Sequence, residues 1–308
     1  MRRVSQCQRK RVKKPLNFAY ALRSFLGHLE GTEKSLHTVR NYKSDLMSFQ
    51  NFLEKGLGSR VVALSHVSRD DLELYIDFLK AQGFKTNTRR RKLLTVRRLL
   101  RYLTQRNKIK IDVGRKLPAP EKIERIPMTV PRGALLTAIR ALPEVTELDA
   151  RNRVLLWSLA ETACQVSEVR QIRYEDWKRQ GTRAWVAIGM KQPRLLEVSD
   201  ELEAAIQALK LKARGAGEWL FLGHNKFGPL GGAISARGIE LLVRAYSDRL
   251  GFPELTPRTF RHSAVLEWFR NGISRDEIQK RLGLRTAYAF RVFEPLFKQV
   301  PQGSILTQ

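Results

Sequence analysis

Apolar residues recur at helical spacing through the first third of the chain. One set, spaced at i, i+3, i+7, i+10 and i+14, comprises Val39, Tyr42, Leu46, Phe49 and Leu53. Residues with this spacing lie on a single face of a helix, and Ser35 is placed to cap its start. A second helix opens at Ser68 and can close at Gly83. The pattern from about Pro15 to Asn107 therefore predicts a helical domain.

The next helix, predicted from about Thr88 to Leu103, has two faces of opposite character. At 100° per residue, its apolar arc contains Leu93, Val96, Leu99, Leu100 and Leu103. The opposite arc contains Arg90, Arg91, Arg97, Arg98 and Arg101, which extend over about 16 Å. No Asp or Glu occurs between Lys85 and Lys110. This basic ridge predicts contact with DNA phosphates, and a solvated helix face is the alternative.

The second half of the chain mixes helical and strand patterns. Helices are predicted at residues 153–162, 201–212, 234–250 and 258–270, and a capping box of Ser274 and Glu277 opens a further short helix. Two short strands, Ala184–Ile188 and Leu195–Val198, join as a hairpin, whereas Gly223–Gly232 is predicted as a loop. The predicted fold is mainly α with a small β-hairpin or sheet.

Charge and proline content divide the chain into segments. Residues 111–131 contain Pro118, Pro120, Pro127 and Pro131 between charged residues, which predicts an extended linker between two domains. The full predicted division is a basic arm at 1–14, a helical domain at 15–110, the linker at 111–131, a mixed domain at 132–298 and a tail at 299–308.

Composition points to a polyanionic partner. The chain has 57 Lys and Arg against 30 Asp and Glu, a formal net charge of +27, and nucleic acid is the commonest partner for such an excess. No apolar run approaches about 18 residues, so no membrane span is predicted. The two cysteines and five histidines show no metal-ligand spacing, so neither a metal nor another cofactor is expected, and a reduced cytoplasmic setting fits.

Several short motifs together resemble the tyrosine recombinase (phage integrase and Xer) family across about residues 16–298. In the first half they are Ser35, Thr38, Tyr42, Asp45 and Thr88–Arg91. In the second half they are Val166–Val169, Arg261–Ser263, Asn271–Gly272 and Leu282–Gly283. The resemblance implies a helical (SAM-like) core-binding domain and a mixed α/β catalytic-type domain, with Thr88 and Arg89 joining the basic ridge as DNA contacts.

The family's chemistry needs two phosphate-clamping arginines, a lysine on the hairpin, two further polar groups and a tyrosine nucleophile. Matched residue by residue, this chain has Gln165 at the first arginine position and retains Arg261 at the second. Its remaining counterparts are Ile188 for the lysine, Arg258 and Leu284 for the polar groups, and Phe293 for the nucleophile. A phenylalanine has no oxygen with which to attack phosphorus.

Three alternatives remain open at these positions. Lys191 can replace the hairpin lysine if the turn is rebuilt, and Tyr288 is a fallback nucleophile, although its other predicted role is packing. Arg258 and Arg261 share a helix face, so together they are expected to hold a phosphate, unless one of them pairs with Glu168.

The leading hypothesis is a recombinase-like protein that grips duplex DNA between its two domains without cleaving it. It would serve an architectural or regulatory role, or accompany an active tyrosine recombinase, in the cytoplasm and associated with the nucleoid. The first alternative is an active recombinase that uses Tyr288. The second is a role in assembly, in which the segment from Phe293 through the tail mediates self-association on DNA.

Overall fold

We describe a computed structural model of the chain over residues 16–32, 36–56, 64–124, 126–189, 193–212 and 218–298. The contacts divide the chain into two units, residues 1–124 and 125–308. This boundary falls inside the predicted linker. The predicted arm at 1–14 and tail at 299–308 lie outside the described residues.

The described part of the first unit contains four α-helices. They are α1 (Phe18–Gly31), α2 (Leu36–Gly56), α3 (Arg69–Ala81) and α4 (Thr86–Gln105). The predicted apolar face of α2 is confirmed, since Val39, Leu46, Phe49 and Leu53 are buried and Tyr42 is half-buried. The predicted cap Ser35 lies outside the described residues.

Local sequence signals fix the ends of α3. Ser68 and Asp71 form a reciprocal capping box at its start, which satisfies backbone N–H groups that have no partner within the helix. Just beyond its end, Gly83 adopts a positive φ of 75°, a conformation that favours glycine. Both ends agree with the sequence prediction.

Helix α4 buries the apolar arc that its sequence predicts. Leu93, Val96, Leu99, Leu100 and Leu103 are each at most 1% exposed and pack in the core of the first unit. The core does not end with α4, because Ile109 and Leu117 are also buried in it. The first half of the predicted linker is therefore packed against the helical unit.

The second unit is also mostly helical over its described residues. Its longer helices are α5 (Arg132–Arg140), α6 (Glu147–Thr162), α8 (Asp200–Lys212), α9 (Ala236–Ser247), α10 (Pro257–Arg270) and α11 (Arg275–Arg281). Its single-turn helices are α7 (Val166–Val169), α12 (Ala287–Phe290) and α13 (Glu294–Phe297). Two apolar clusters form the core, one around α6 and the sheet and one between α10 and the C-terminal helices.

The described residues of the second unit also form two antiparallel sheets. Strands β1 (Trp177–Gln180), β2 (Arg183–Ile188) and β3 (Arg194–Val198) form the first sheet, and β4 (Leu222–Asn225) pairs with β5 (Gly228–Ala233) in the second. The predicted β2–β3 hairpin is confirmed. The prediction of a loop over Gly223–Gly232 is wrong, because β4 and β5 pair through it. Strand β5 is glycine-rich and mostly exposed, so it lacks the alternation that marks a half-buried strand.

The predicted fold class, mainly α with small sheets in a two-domain arrangement, is confirmed. Among the described helices, none combines the length and the apolar composition that a membrane span requires.

Candidate nucleic-acid interface

The exposed face of α4 carries the predicted arginines. Arg90, Arg97, Arg98 and Arg101 lie on the arc opposite the buried leucines, with Leu94 among them at 39% exposure. Arg101 is exposed, whereas Arg90 and Arg97 are half-buried. The ridge therefore exists as a surface feature, although its members differ in how freely they can move.

Three of these arginines are held by the first unit itself. Arg90 donates to the backbone oxygen of Pro120 at 2.7 Å, and Arg97 donates to that of Arg115 at 3.2 Å. Arg98 donates to the Tyr42 hydroxyl, and its Cζ lies 5.6 Å from the centre of that ring. A guanidinium has five N–H donors, so each of these side chains keeps donors for a phosphate.

A buried carboxylate on α2 pairs with basic residues of α4. Asp45 on α2 is 1% exposed and forms ion pairs with Arg91 and with Lys92, the latter at 3.4 Å. The Thr95 hydroxyl donates to the same carboxylate at 3.2 Å. Sequence reasoning missed Lys92, which is buried on the core side of α4. The signal was Asp45 itself, an acidic residue bordering the apolar face of α2.

The structure places Arg89 and Thr88 away from the ridge. Arg89 is half-buried, donates to Thr86 at 3.1 Å, and has a buried Nε without a hydrogen-bond partner. Thr88 is half-buried in the first turn of α4. On the helical wheel both residues fall toward the leucine arc, so the structure groups neither with Arg90, Arg97 and Arg101.

In the second unit, α10 positions the retained arginine. Thr256 caps the helix and Pro257 begins it, a favoured combination at a helix start. Arg258, in the first turn, is exposed, whereas Arg261 is only 8% exposed. Arg261 donates to the backbone oxygens of Ala163 at 2.6 Å and Leu282 at 3.1 Å.

Phe293 lies beside this arginine. The Phe293 side chain is 3% exposed, and the centre of its ring is 6.0 Å from Cζ of Arg261. The His262 ring meets it edge-on at 5.8 Å between ring centres. The residue at the predicted nucleophile position is thus next to the retained arginine and is an unreactive ring.

Glu168 forms its ion pair with Arg194 rather than with Arg258 or Arg261. Both of its carboxylate oxygens accept from Arg194, at 2.7 and 3.1 Å, and Nε of Arg194 donates to the backbone oxygen of Arg281 at 2.6 Å. Gly283 adopts a positive φ of 64°, which favours glycine, and a Cβ there would lie 2.8 Å from this guanidinium. Sequence reasoning missed this contact between Glu168 and Arg194.

The remaining predicted positions are dispersed. Gln165 is exposed, and its backbone N–H donates to Glu168 at 2.8 Å. Ile188 is 1% exposed within the core, so its side chain does not reach the surface where a lysine would meet a phosphate. Leu284 is half-buried against the cluster that contains Phe293. Lys191 and the Tyr288 side chain lie outside the described residues.

Burial shifts the pKa values of His262 and Arg261. Desolvation, together with the charges of nearby Arg258 and Arg261, lowers the pKa of His262 to about 4 against the opposing effect of a hydrogen bond with the Met128 backbone. Desolvation also lowers the pKa of Arg261, partly offset by Glu168, but a guanidinium remains protonated at neutral pH. The site therefore presents fixed cations and a neutral imidazole. Over the described residues, no group of three or more His, Cys, Asp and Glu side chains is arranged to hold a metal ion.

Comparison with known protein families identifies the class. The profile described as the phage integrase N-terminal SAM-like domain matches residues 22–107, and that of the phage integrase family matches residues 134–287. The chain therefore belongs to the phage integrase family, the tyrosine recombinases.

Similar proteins include recombinases of the Xer type. A tyrosine recombinase XerC of Herpetosiphon aurantiacus is 29% identical over 279 residues, covering 85% of this chain and 86% of the relative. A XerD of Rhizobium meliloti is 25% identical over 264 residues, covering 80% of this chain and 81% of that protein.

Solved structures show the same fold. The XerH recombinase in a post-cleavage complex with a palindromic difH substrate has a TM-score of 0.72 and 16% identity, covering 90% of this chain and 81% of that one. A lambda integrase dimer bound to a COC′ core site has a TM-score of 0.66 and 13% identity, covering 92% and 79% of the two chains.

Proposed function

We propose that this tyrosine recombinase family member binds duplex DNA and does not cleave it by the family's covalent route. In the first unit, the arginines on the exposed arc of α4, which we call the α4 ridge, would contact phosphates. They are Arg90, Arg97, Arg98 and Arg101. In the second, Arg258 and Arg261 would hold one phosphate without breaking it. The observation that carries the proposal is Phe293, whose ring lies 6.0 Å from the Arg261 guanidinium.

The chemistry of the site supports binding over cleavage. Covalent strand transfer needs a nucleophile, and a phenyl ring has no hydroxyl to form a phosphotyrosyl bond. Gln165 can donate a hydrogen bond to a phosphate but cannot neutralise charge in the transition state. Leu284 has no side-chain donor or acceptor. Because such groups act as a unit, the loss of several together is expected to remove the activity.

DNA as the partner is supported by charge and by the relatives. The net charge of +27 favours a polyanion. The similar XerH and lambda integrase structures were determined with DNA, the latter as a dimer. We extend the proposal to self-association on DNA through the C-terminal segment from Phe293 onward, or to partnership with an active tyrosine recombinase. The protein would act on DNA in the cytoplasm, associated with the nucleoid.

A trapping experiment tests the proposal. A nicked suicide duplex would carry a site recovered by genome-wide footprinting of the protein. The wild type is expected to shift this duplex in a native gel and to leave no SDS-resistant adduct. An adduct formed by the wild type but absent in Tyr288→Phe would instead establish the active alternative with a relocated nucleophile. Failure of the wild type to bind any duplex would remove the proposed function.

A further inference from the structure

The segment that follows α4 is fastened along that helix. We call residues 111–124 the α4 strap. Arg97 and Arg90 of α4 donate to the strap's backbone oxygens at Arg115 and Pro120. Leu117 anchors the strap in the core at 3% exposure. The strap therefore follows α4 back toward its first turn.

Asn87 makes the most specific of these contacts. Its Nδ2 donates to the backbone oxygen of Ile123 at 2.8 Å, and its Oδ1 accepts from the Ile123 N–H at 3.0 Å. One amide side chain thus satisfies both backbone groups of one residue, which fixes the position and the direction of the strap there. Ile123 itself is 53% exposed, so apolar burial does not hold this end of the strap.

The residue next to this contact faces a basic groove. Lys122 lines a concavity of about 630 Å³ in the first unit, between α2 and α4. The same groove is lined by Arg90, Arg91 and Arg98, and by the hydrogen-bonding side chains of Asn41 and Tyr42. Lys122 comes from the strap, whereas the other cations come from α4.

The positive charge of the groove indicates that it binds an anionic ligand. The carboxylate in its lining, Asp45, is already paired with Arg91 and Lys92. Lys122 lies 3.5 Å from Glu124, but both side chains are largely exposed, and such surface pairs contribute little. The groove therefore presents several cations with few competing anions. Backbone phosphates of duplex DNA fit this arrangement of cations and hydrogen-bond donors.

We propose that Asn87 is a positioning residue that holds Lys122 in a phosphate-binding groove, so that the strap is part of the DNA interface. This inference rests on the proposed DNA-binding function and deepens it. Asn87 acts through the backbone of Ile123, and Lys122 makes the contact with phosphate. The strap then contributes affinity that a flexible connection between two domains would not supply.

The salt dependence of DNA binding tests the inference. Each phosphate contact contributes a slope of about −0.9 in log K against log salt concentration. Using the full-length protein and one duplex, we expect Lys122→Ala to flatten the slope by about 0.9, the contribution of one phosphate contact. Asn87→Ala should flatten it by a similar amount, and the double variant should add little to either single change. Lys116→Ala, an exposed lysine of the same strap outside the groove lining, is the matched control and should change the slope less.

Limited proteolysis supplies a second readout without DNA. If Asn87 fastens the strap, trypsin should cleave after Lys122 faster in Asn87→Ala than in the wild type, at an unchanged melting temperature. The inference is overturned if Asn87→Ala leaves both the slope and this cleavage rate unchanged, or if Lys116→Ala flattens the slope as much as Lys122→Ala. In either case the wild type would still bind DNA, which separates this failure from failure of the proposed function.

Discussion

Arg258 and Arg261 lie on the same helix but have different roles because their burial differs. Arg258 is exposed in the first turn of α10, so its guanidinium is available to a ligand. Arg261 is 8% exposed and joins the backbone oxygens of Ala163 and Leu282, which belong to distant parts of the chain. Arg261 therefore supports the fold around Phe293 as well as supplying charge to the site.

Replacing each of these arginines with alanine separates the two roles. Arg261→Ala removes charged hydrogen bonds to two buried carbonyl groups, and we expect it to lower the free energy of unfolding by about 2–4 kcal/mol. Arg258→Ala should change it by less than about 0.5 kcal/mol, because the residue is on the surface. Both should weaken DNA binding. Chemical denaturation measures the difference, and equal effects on stability would refute the division of roles.

The half-buried imidazole of His262 makes stability depend on pH. Its pKa is about 4 in the folded protein and near 6.5 when unfolded, so the unfolded state binds more protons between these values. The stabilising contribution of the neutral His262 ring should therefore be fully present above about pH 6.5 and be lost as the pH drops toward 4. Because the ring is partly exposed, we expect the free energy of unfolding to fall by about 2 kcal/mol, which is less than the energy that corresponds to the whole pKa shift.

Comparing the wild type with His262→Asn checks this dependence. Asparagine cannot titrate, so the difference in unfolding free energy between the two proteins should change between pH 7 and pH 4.5. A difference that stays constant over this range would show that His262 does not titrate as its burial requires.

The sequence predicted some of these residue positions and not others. The family resemblance matched Phe293 to the nucleophile position, and the structure puts it beside Arg261. Ile188 was matched to a surface lysine, yet it is buried. Alternation along β2 explains this, because Ala184, Val186 and Ile188 share the face that packs in the core. The contact of Glu168 with Arg194 was not predictable, since it joins residues far apart in sequence.

At the scale of elements, α4 combines the core and the candidate interface of the first unit. One arc packs leucines and the opposite arc carries arginines, and both were predictable from the 100° spacing. The sequence could not show that the strap lies along this helix, because proline and charge content resemble those of an extended linker. Nor could it show the β4–β5 pair, which is mostly exposed in β5 and rich in glycine.

The α4 ridge should set the salt dependence of DNA binding. Changing Arg90, Arg97 and Arg101 together to alanine removes up to three phosphate contacts, so the slope of log K against log salt should flatten by about 2–3. Lys80→Ala, an exposed lysine at the end of α3, is the control. A slope identical to that of the wild type would rule out α4 as the interface.

The contact between α2 and α4 depends on the buried Asp45. Asp45→Asn would leave Lys92, which is 6% exposed, without its counter-charge, and we expect a loss of about 3 kcal/mol in unfolding free energy. Glu54→Gln, on an exposed part of α2, should change stability by less than about 0.5 kcal/mol. Equal thermal stability of Asp45→Asn and the wild type would contradict this account of the pair.

At the scale of the whole molecule, the chain keeps the two-part architecture of its family and an excess of positive charge. Each unit has its own apolar core, so each can present a binding surface without the other. Both features support the proposed binding of DNA. By the family resemblance, Gln165, Leu284 and Phe293 are the residues expected at positions where the family's chemistry takes place.

The mass of the protein recovered from a saturated DNA complex tests the central claim most directly. The complex would be denatured, digested exhaustively with nuclease, and the polypeptide measured by intact mass spectrometry. Because Phe293 offers no oxygen for a bond to phosphorus, we expect the unmodified mass of the chain. A species heavier by one or more nucleotides, at a yield that grows with incubation, would contradict a DNA-binding protein that leaves its duplex intact.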